Sequence, residues 1–171
     1  LAKNVLISLG MTNAILKKAI SKGFVKAKAA PYKRYIYYLT KEGFTEKSRL
    51  VREYLDSSLI FFKKAKLAYQ KILTEIKKKN YEIVLVGDGD LVDICKLSLL
   101  HENLEVSGHM KFTKQKNLRY EFNNTKKSPK NLAFVIVESK KPQLIYDNLV
   151  SSFDQVNVYY PKFLHISKKQ K

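Results

Sequence analysis

The chain has 171 residues, room for one large domain or two small ones. Its 33 Lys and Arg against 15 Asp and Glu leave a formal charge of +18, which points to a polyanionic partner, either nucleic acid or an anionic membrane surface. The single cysteine, Cys95, excludes an internal disulfide and a Cys-rich zinc site, as suits a cytoplasmic protein, and no apolar run reaches the ~20 residues of a membrane-spanning helix.

The charge is unevenly placed. Residues 1–40 carry eight basic side chains (Lys3, Lys17, Lys18, Lys22, Lys26, Lys28, Lys33 and Arg34) and no acidic one. Residues 81–171 hold 14 basic and 10 acidic residues. Scattered lysines on a helix usually form a solvated face, but such a face mixes both signs. Forty residues without a carboxylate assign the polyanion to the front of the chain.

In chain order, residues 1–3 read as the tail of a helix, connected through residues 4–7. A chain that opens this way, at Leu1 without Met, is expected to lack part of the natural protein. Ser8 suits an N-cap, its hydroxyl accepting from a first-turn amide. Over residues 9–22, Thr12, Ile15, Leu16, Ala19 and Ile20 recur at helical spacing and predict one inward stripe. Met11, Asn13, Ala14, Lys17, Lys18 and Ser21 fall largely outside it. Gly23 stops the helix as a left-handed C-cap. Residues 24–29 and 35–39 read as strands joined by Ala30-Pro31-Tyr32-Lys33-Arg34 as a hairpin tip. Helix, glycine stop and basic hairpin, in that order, make the recognition helix and wing of a winged helix.

Residues 40–79 read as one helix, with Gly43 as a candidate bend and Lys77, Lys78 and Lys79 at the negative end of its dipole. So long a helix exceeds what one small domain buries, so pairing with a second copy is expected. From Tyr81 the pattern changes. Ile83-Val84-Leu85-Val86 has the make-up of a strand buried on both faces. Gly87-Asp88-Gly89-Asp90 follows, then a helix over residues 91–101. Strands over 104–108, 132–137 and 156–160, and a proline-led helix over 142–152, complete an alternation that predicts a small parallel sheet. The basic, polar stretch 111–130 reads as a mobile loop, and the tail 168–171 as disordered.

The front segment resembles MarR-type winged helix-turn-helix regulators, especially the group associated with exopolysaccharide gene clusters. The resemblance rests on Ile7-Ser8-Leu9-Gly10, Leu16-Lys17, Lys22-Gly23-Phe24-Val25-Lys26, Tyr37-Tyr38-Leu39-Thr40-Lys41-Glu42-Gly43 and Glu46-Lys47-Ser48-Arg49-Leu50, across roughly residues 1–55. Thr12 departs from it, because a bulkier apolar anchor is usual there. The back half is similar to the Rossmann-like domains found beside nucleotide-sugar enzymes, through strand-Gly87-x-Gly89-x-helix and through Ala133-Phe134-Val135-Ile136-Val137 ahead of Pro142. The third glycine of the dinucleotide fingerprint is missing, and the second strand ends at Gly108-His109 without a carboxylate for a ribose.

The expected architecture is therefore a two-domain chain of mixed α/β and α+β class. A partial winged helix over 1–40 is followed by a long connecting or dimerising helix over 41–80 and a Rossmann-like α/β domain over 81–167. The expected function is a cytoplasmic, homodimeric, DNA-binding transcriptional regulator rather than an enzyme. Its helix would enter the major groove of double-stranded DNA. Ser8, Met11, Asn13 and Ala14 would lie nearest the bases, with Lys17 and Lys18 nearer the phosphates. Lys28, Tyr32, Lys33 and Arg34 would reach the backbone from the wing. The α/β domain is then either a ligand-free structural domain or, by analogy with the Rex repressors, whose cofactor sits in a Rossmann domain joined to a winged helix, an effector domain in which Gly87, Asp88, Gly89 and Asp90 cradle a nucleotide or nucleotide-sugar. Asp88 and Asp90 would repel a phosphate unless they bind a metal or a sugar.

The alternative is a nucleotide- or nucleotide-sugar-binding enzyme or module centred on residues 87–90, with the basic front half as a protein or RNA contact. Catalytic candidates for it are thin. His101, His109 and His165 stand apart in sequence, and Cys95 shares a helix face with Leu91, Ile94 and Leu99, which predicts a small core residue.

Overall fold

The computed structural model describes residues 8–32, 34–112, 118–122, 131–153 and 156–168. The expected helix tail and connection over 1–7, the wing residue Lys33 and the tail 169–171 lie outside them. The chain divides into two compact units, Leu1–Leu59 and Ile60–Lys171.

In the first unit, α1 spans Leu9–Ser21. Ser8 caps it as expected, its hydroxyl accepting from the Met11 amide at 3.3 Å. Gly23, at φ 74°, ends it, with the Gly23 and Phe24 amides donating to the Ile20 and Ala19 carbonyls, both at 2.9 Å. β1 (Val25–Ala30) and β2 (Arg34–Leu39) pair antiparallel from Val25 opposite Leu39 to Ala30 opposite Arg34. The predicted inward stripe of α1 is only partly realised. Thr12, Leu16 and Ala19 are half-buried, whereas Ile15 is 56% exposed, and no α1 residue is fully buried. Within the described residues of this unit nothing covers that flank.

The helix that follows, α2, spans Lys41–Lys78. Thr40 fastens its start to the preceding turn. Its Oγ1 accepts from the Gly43 amide at 3.0 Å and donates to the Gly23 carbonyl at 2.7 Å. α2 runs through Gly43 without a break. A β-carbon there would lie 2.0 Å from the Phe24 carbonyl oxygen, so the glycine lets the helix meet the first strand's entry backbone to backbone. Ala19, Phe24, Val25, Leu39, Leu50 and Tyr54 line an apolar groove of about 360 Å³ in this unit.

The later half of α2 lies in a different environment. Ala65, Tyr69, Leu73 and Ile76 are fully buried in the second unit. They pack with a five-stranded sheet of order β5-β4-β3-β6-β7. Its strands are β3 (Glu82–Val86), β4 (Val106–Phe112), β5 (Leu118–Phe122), β6 (Leu132–Ile136) and β7 (Asn157–Tyr159). β3, β4, β6 and β7 run parallel, as expected. Of the loop expected over 111–130, residues 113–117 and 123–130 lie outside the described residues; the rest is strand, 111–112 ending β4 and β5 pairing antiparallel with it, Phe112 opposite Leu118. Edge strands bury one side at most and need no apolar run, so a polar, basic sequence conceals them.

Two helices complete the unit, α3 (Asp90–Glu102) after β3 and α4 (Pro142–Ser152) after β6. Their crossovers run in opposite directions from the centre of the sheet, and right-handed connections then place them on opposite faces. All five β6 residues and the last four of β3 are buried, as a sheet covered on both sides requires. Cys95 is fully buried among them.

Candidate nucleic-acid interface

The described cations of the acid-free front, Lys17, Lys18, Lys22, Lys26, Lys28 and Arg34, are exposed to solvent. On α1, Ser8, Met11, Asn13, Ala14, Lys17 and Lys18 are all exposed. Asn13 and Lys17, like Ala14 and Lys18, are four residues apart and so share a face. The first turn holds no acidic residue to oppose an anion approaching its amides.

The hairpin sorts its side chains by strand alternation. Opposite residues in an antiparallel pair share a face, and successive residues alternate. Lys26 stands opposite Tyr38, Lys28 opposite Ile36 and Ala30 opposite Arg34, which gathers every described cation of the two strands on one face. The other face consists of Val25, Ala27, Ala29, Tyr35, Tyr37 and Leu39. Lys28 and Arg34 were legible as contact candidates in sequence. Lys26 and Tyr38 were not, because only the register shows which residues they accompany. At the tip, Tyr32 is 91% exposed and holds a left-handed φ of 61°, a conformation more natural to Gly or Asn.

The second candidate site lies where β3 and β6 are neighbours and their following connections lead apart, the place where open α/β sheets bind ligands. The structure brings together residues that looked unrelated in sequence. His109 Nε2 donates to the Gly87 carbonyl at 2.8 Å. Glu138 accepts from the Asp88 amide at 3.3 Å and from the Lys140 amide at 2.8 Å. Asp88 Oδ1 accepts from the Gly89 amide at 2.9 Å. The Asp88 and Gly89 amides, part of what would cradle a phosphate, therefore already have carboxylate partners, and Asp88 and Asp90 are exposed beside them. His109, weighed in sequence only as an isolated histidine, lies within β4, and Glu138 follows β6; neither could be tied to Gly87 before the strand order was known.

His101 and His165 stay apart from this loop. His101 lies 3.5 Å from Glu102 on the surface, and His165 adopts a left-handed φ of 49° after the short turn Lys162–Leu164. Among the described residues no group of three or more His, Cys, Asp or Glu side chains is placed to hold a metal ion. No helix among them is long and apolar enough to cross a membrane. Burial pushes the Cys95 thiol up to about 12, so it is a protonated core group at neutral pH. Compared with protein-family models, curated proteins and solved structures, the chain matches none.

Proposed function

We propose that the protein is a DNA-binding transcriptional regulator of the MarR-type winged-helix kind, with α1 as recognition helix and the β1–β2 hairpin as wing. One observation carries this reading. An exposed, capped helix and an exposed hairpin follow each other directly, carry cations throughout, and hold no carboxylate between Ser8 and Lys41. Asn13 is the candidate for direct readout, since its amide can pair twice with an adenine edge. Lys17, Lys18, Lys28, Lys33 and Arg34 supply phosphate contacts, and Tyr32 packs on the sugar backbone.

The working form is a cytoplasmic homodimer joined through the front half of α2. Phe44, Leu50, Val51, Tyr54, Leu55 and Leu59 are exposed there. Residues 41–60 carry four basic and four acidic side chains, so two copies can meet along this stretch without the repulsion of the rest of the chain. The α/β unit is read as a Rossmann-like effector sensor. A nucleotide-sugar or related metabolite that offered hydroxyls to Asp88, Asp90 and Glu138 would suit its acidic edge better than a bare phosphate.

The test is fluorescence anisotropy with duplex DNA over a salt series. A dimer placing six or more cations on phosphates loses affinity by about 10³-fold between 50 and 200 mM salt. Lys33→Ala with Arg34→Ala weakens every duplex and flattens the slope. An affinity indifferent to salt would refute the proposal.

A further inference from the structure

The two faces of the hairpin are unlike enough to decide which one meets a duplex. On one face Lys26 and Lys28 stand on β1 and Arg34 on β2, accompanied by Tyr38 and Ile36, and these five residues are exposed. Residues two apart on an antiparallel strand are about 6.8 Å apart, enough for Lys26 and Lys28 each to meet a separate phosphate of one DNA strand. The three cations share their face with no acidic residue, and the two large side chains offer flat apolar area to sugars. The opposite face offers no charge at all. It can attract neither phosphates nor counter-ions, and turning it to DNA would strand three cations away from the polyanion.

We infer that duplex DNA lies against the Lys26–Lys28–Arg34 face of the hairpin, with Tyr38 packed on the sugar-phosphate backbone, and that the face bearing Tyr35 and Tyr37 points away from it. This adds Lys26 and Tyr38 to the interface, and it rests on the DNA-binding reading above. Contact along the length of both strands, rather than at the tip alone, makes the wing a side-on clamp. The deepest cation on that face, Lys26, pairs with Tyr38 next to the base of the hairpin.

The test compares variants of equal charge in the full chain. Lys26→Ala with Lys28→Ala and Ala27→Glu with Ala29→Glu each lower the net charge by two, so long-range attraction falls alike and only the face differs. The first pair should lose at least tenfold in affinity and reduce the salt slope by about two per subunit. The second should lose less than threefold with its slope unchanged, and Tyr38→Ala should lower affinity at an unchanged slope. Melting curves confirm folding, and Lys28→Ala alone against Ala29→Glu alone, each lowering the charge by one, replaces the pairs if the double glutamate fails to fold. Equal losses on both faces, or a larger loss on the alanine face, overturn the inference while duplex binding itself stands. If the unmodified chain shows no salt-dependent binding to duplex DNA, the inference falls together with the reading beneath it.

Discussion

The hydroxyl of Tyr69, in the later half of α2, donates to the main-chain carbonyl of Ile136 at the end of β6 at 3.0 Å, and the side chain is fully buried. A helix thereby satisfies an acceptor at the last residue of a central strand, while the tyrosine ring packs edge-on against Phe163, 6.3 Å between centroids. Tyr69→Phe keeps the ring and removes the donor. It should cost about 1–2 kcal/mol in urea denaturation with an unchanged m value. Tyr69→Ala opens a cavity and should cost about 3–5 kcal/mol. A phenylalanine as stable as the parent would show that the hydrogen bond contributes nothing net.

Gly43 reverses a familiar rule. Within a helix, glycine to alanine ordinarily gains about 1 kcal/mol. Here the new β-carbon would sit 2.0 Å from the Phe24 carbonyl oxygen, so Gly43→Ala must push α2 away from that strand. The Thr40 amide, which donates to the same carbonyl at 3.0 Å, reports the damage. Its hydrogen exchange should accelerate in the variant, and unchanged protection would contradict the close approach.

Two glycines of one loop should respond differently. Gly87 and Gly89 have φ values of 122° and 114°, so alanine is strained at both. At Gly87 its β-carbon would also lie 2.6 Å from that of Glu138, whereas at Gly89 nothing lies within 4 Å. Gly87→Ala should lower the melting temperature well below that of Gly89→Ala. Equal losses would mean that backbone strain alone governs the turn.

Alkaline pH should weaken the second unit. Burial raises Cys95 from an ordinary 9.0 to about 12 and also pushes the Tyr69 phenol above its usual range. The native state holds protons that the unfolded chain gives up. The stability these groups supply is complete below pH ~9 and drains away as pH climbs toward 12. Denaturation midpoints should fall across that window, less steeply in Cys95→Ala. At pH 8 a thiol reagent should label the native protein no faster than it opens. Rapid labelling would place Cys95 outside the core.

Much of the secondary structure was legible because its causes are local. Ser8 caps and Gly23 stops α1 through their own hydroxyl and backbone freedom, Pro142 opens α4, and the run Ile83–Val86 needs only its apolar side chains to demand burial on both faces. β5 escaped notice because an edge strand takes its place from hydrogen bonds to β4, which leave no mark on composition. The exposed Ile15 shows the opposite failure. A helical stripe predicts what is available for burial, and whether anything arrives to cover it is a property of other elements.

By itself, then, the order of residues determined the acid-free front, the caps, the strand and helix alternation and the burial of Cys95, all of which follow from neighbours within a few positions. Tertiary structure alone decided that Lys26 joins Lys28 and Arg34 on one face of the hairpin, that Glu138 and His109 close over Gly87, and that α2 passes from an exposed apolar surface into a packed core. The reason is pairing at a distance: strand register and strand order set which side chains meet, and neither is written in any short window of sequence.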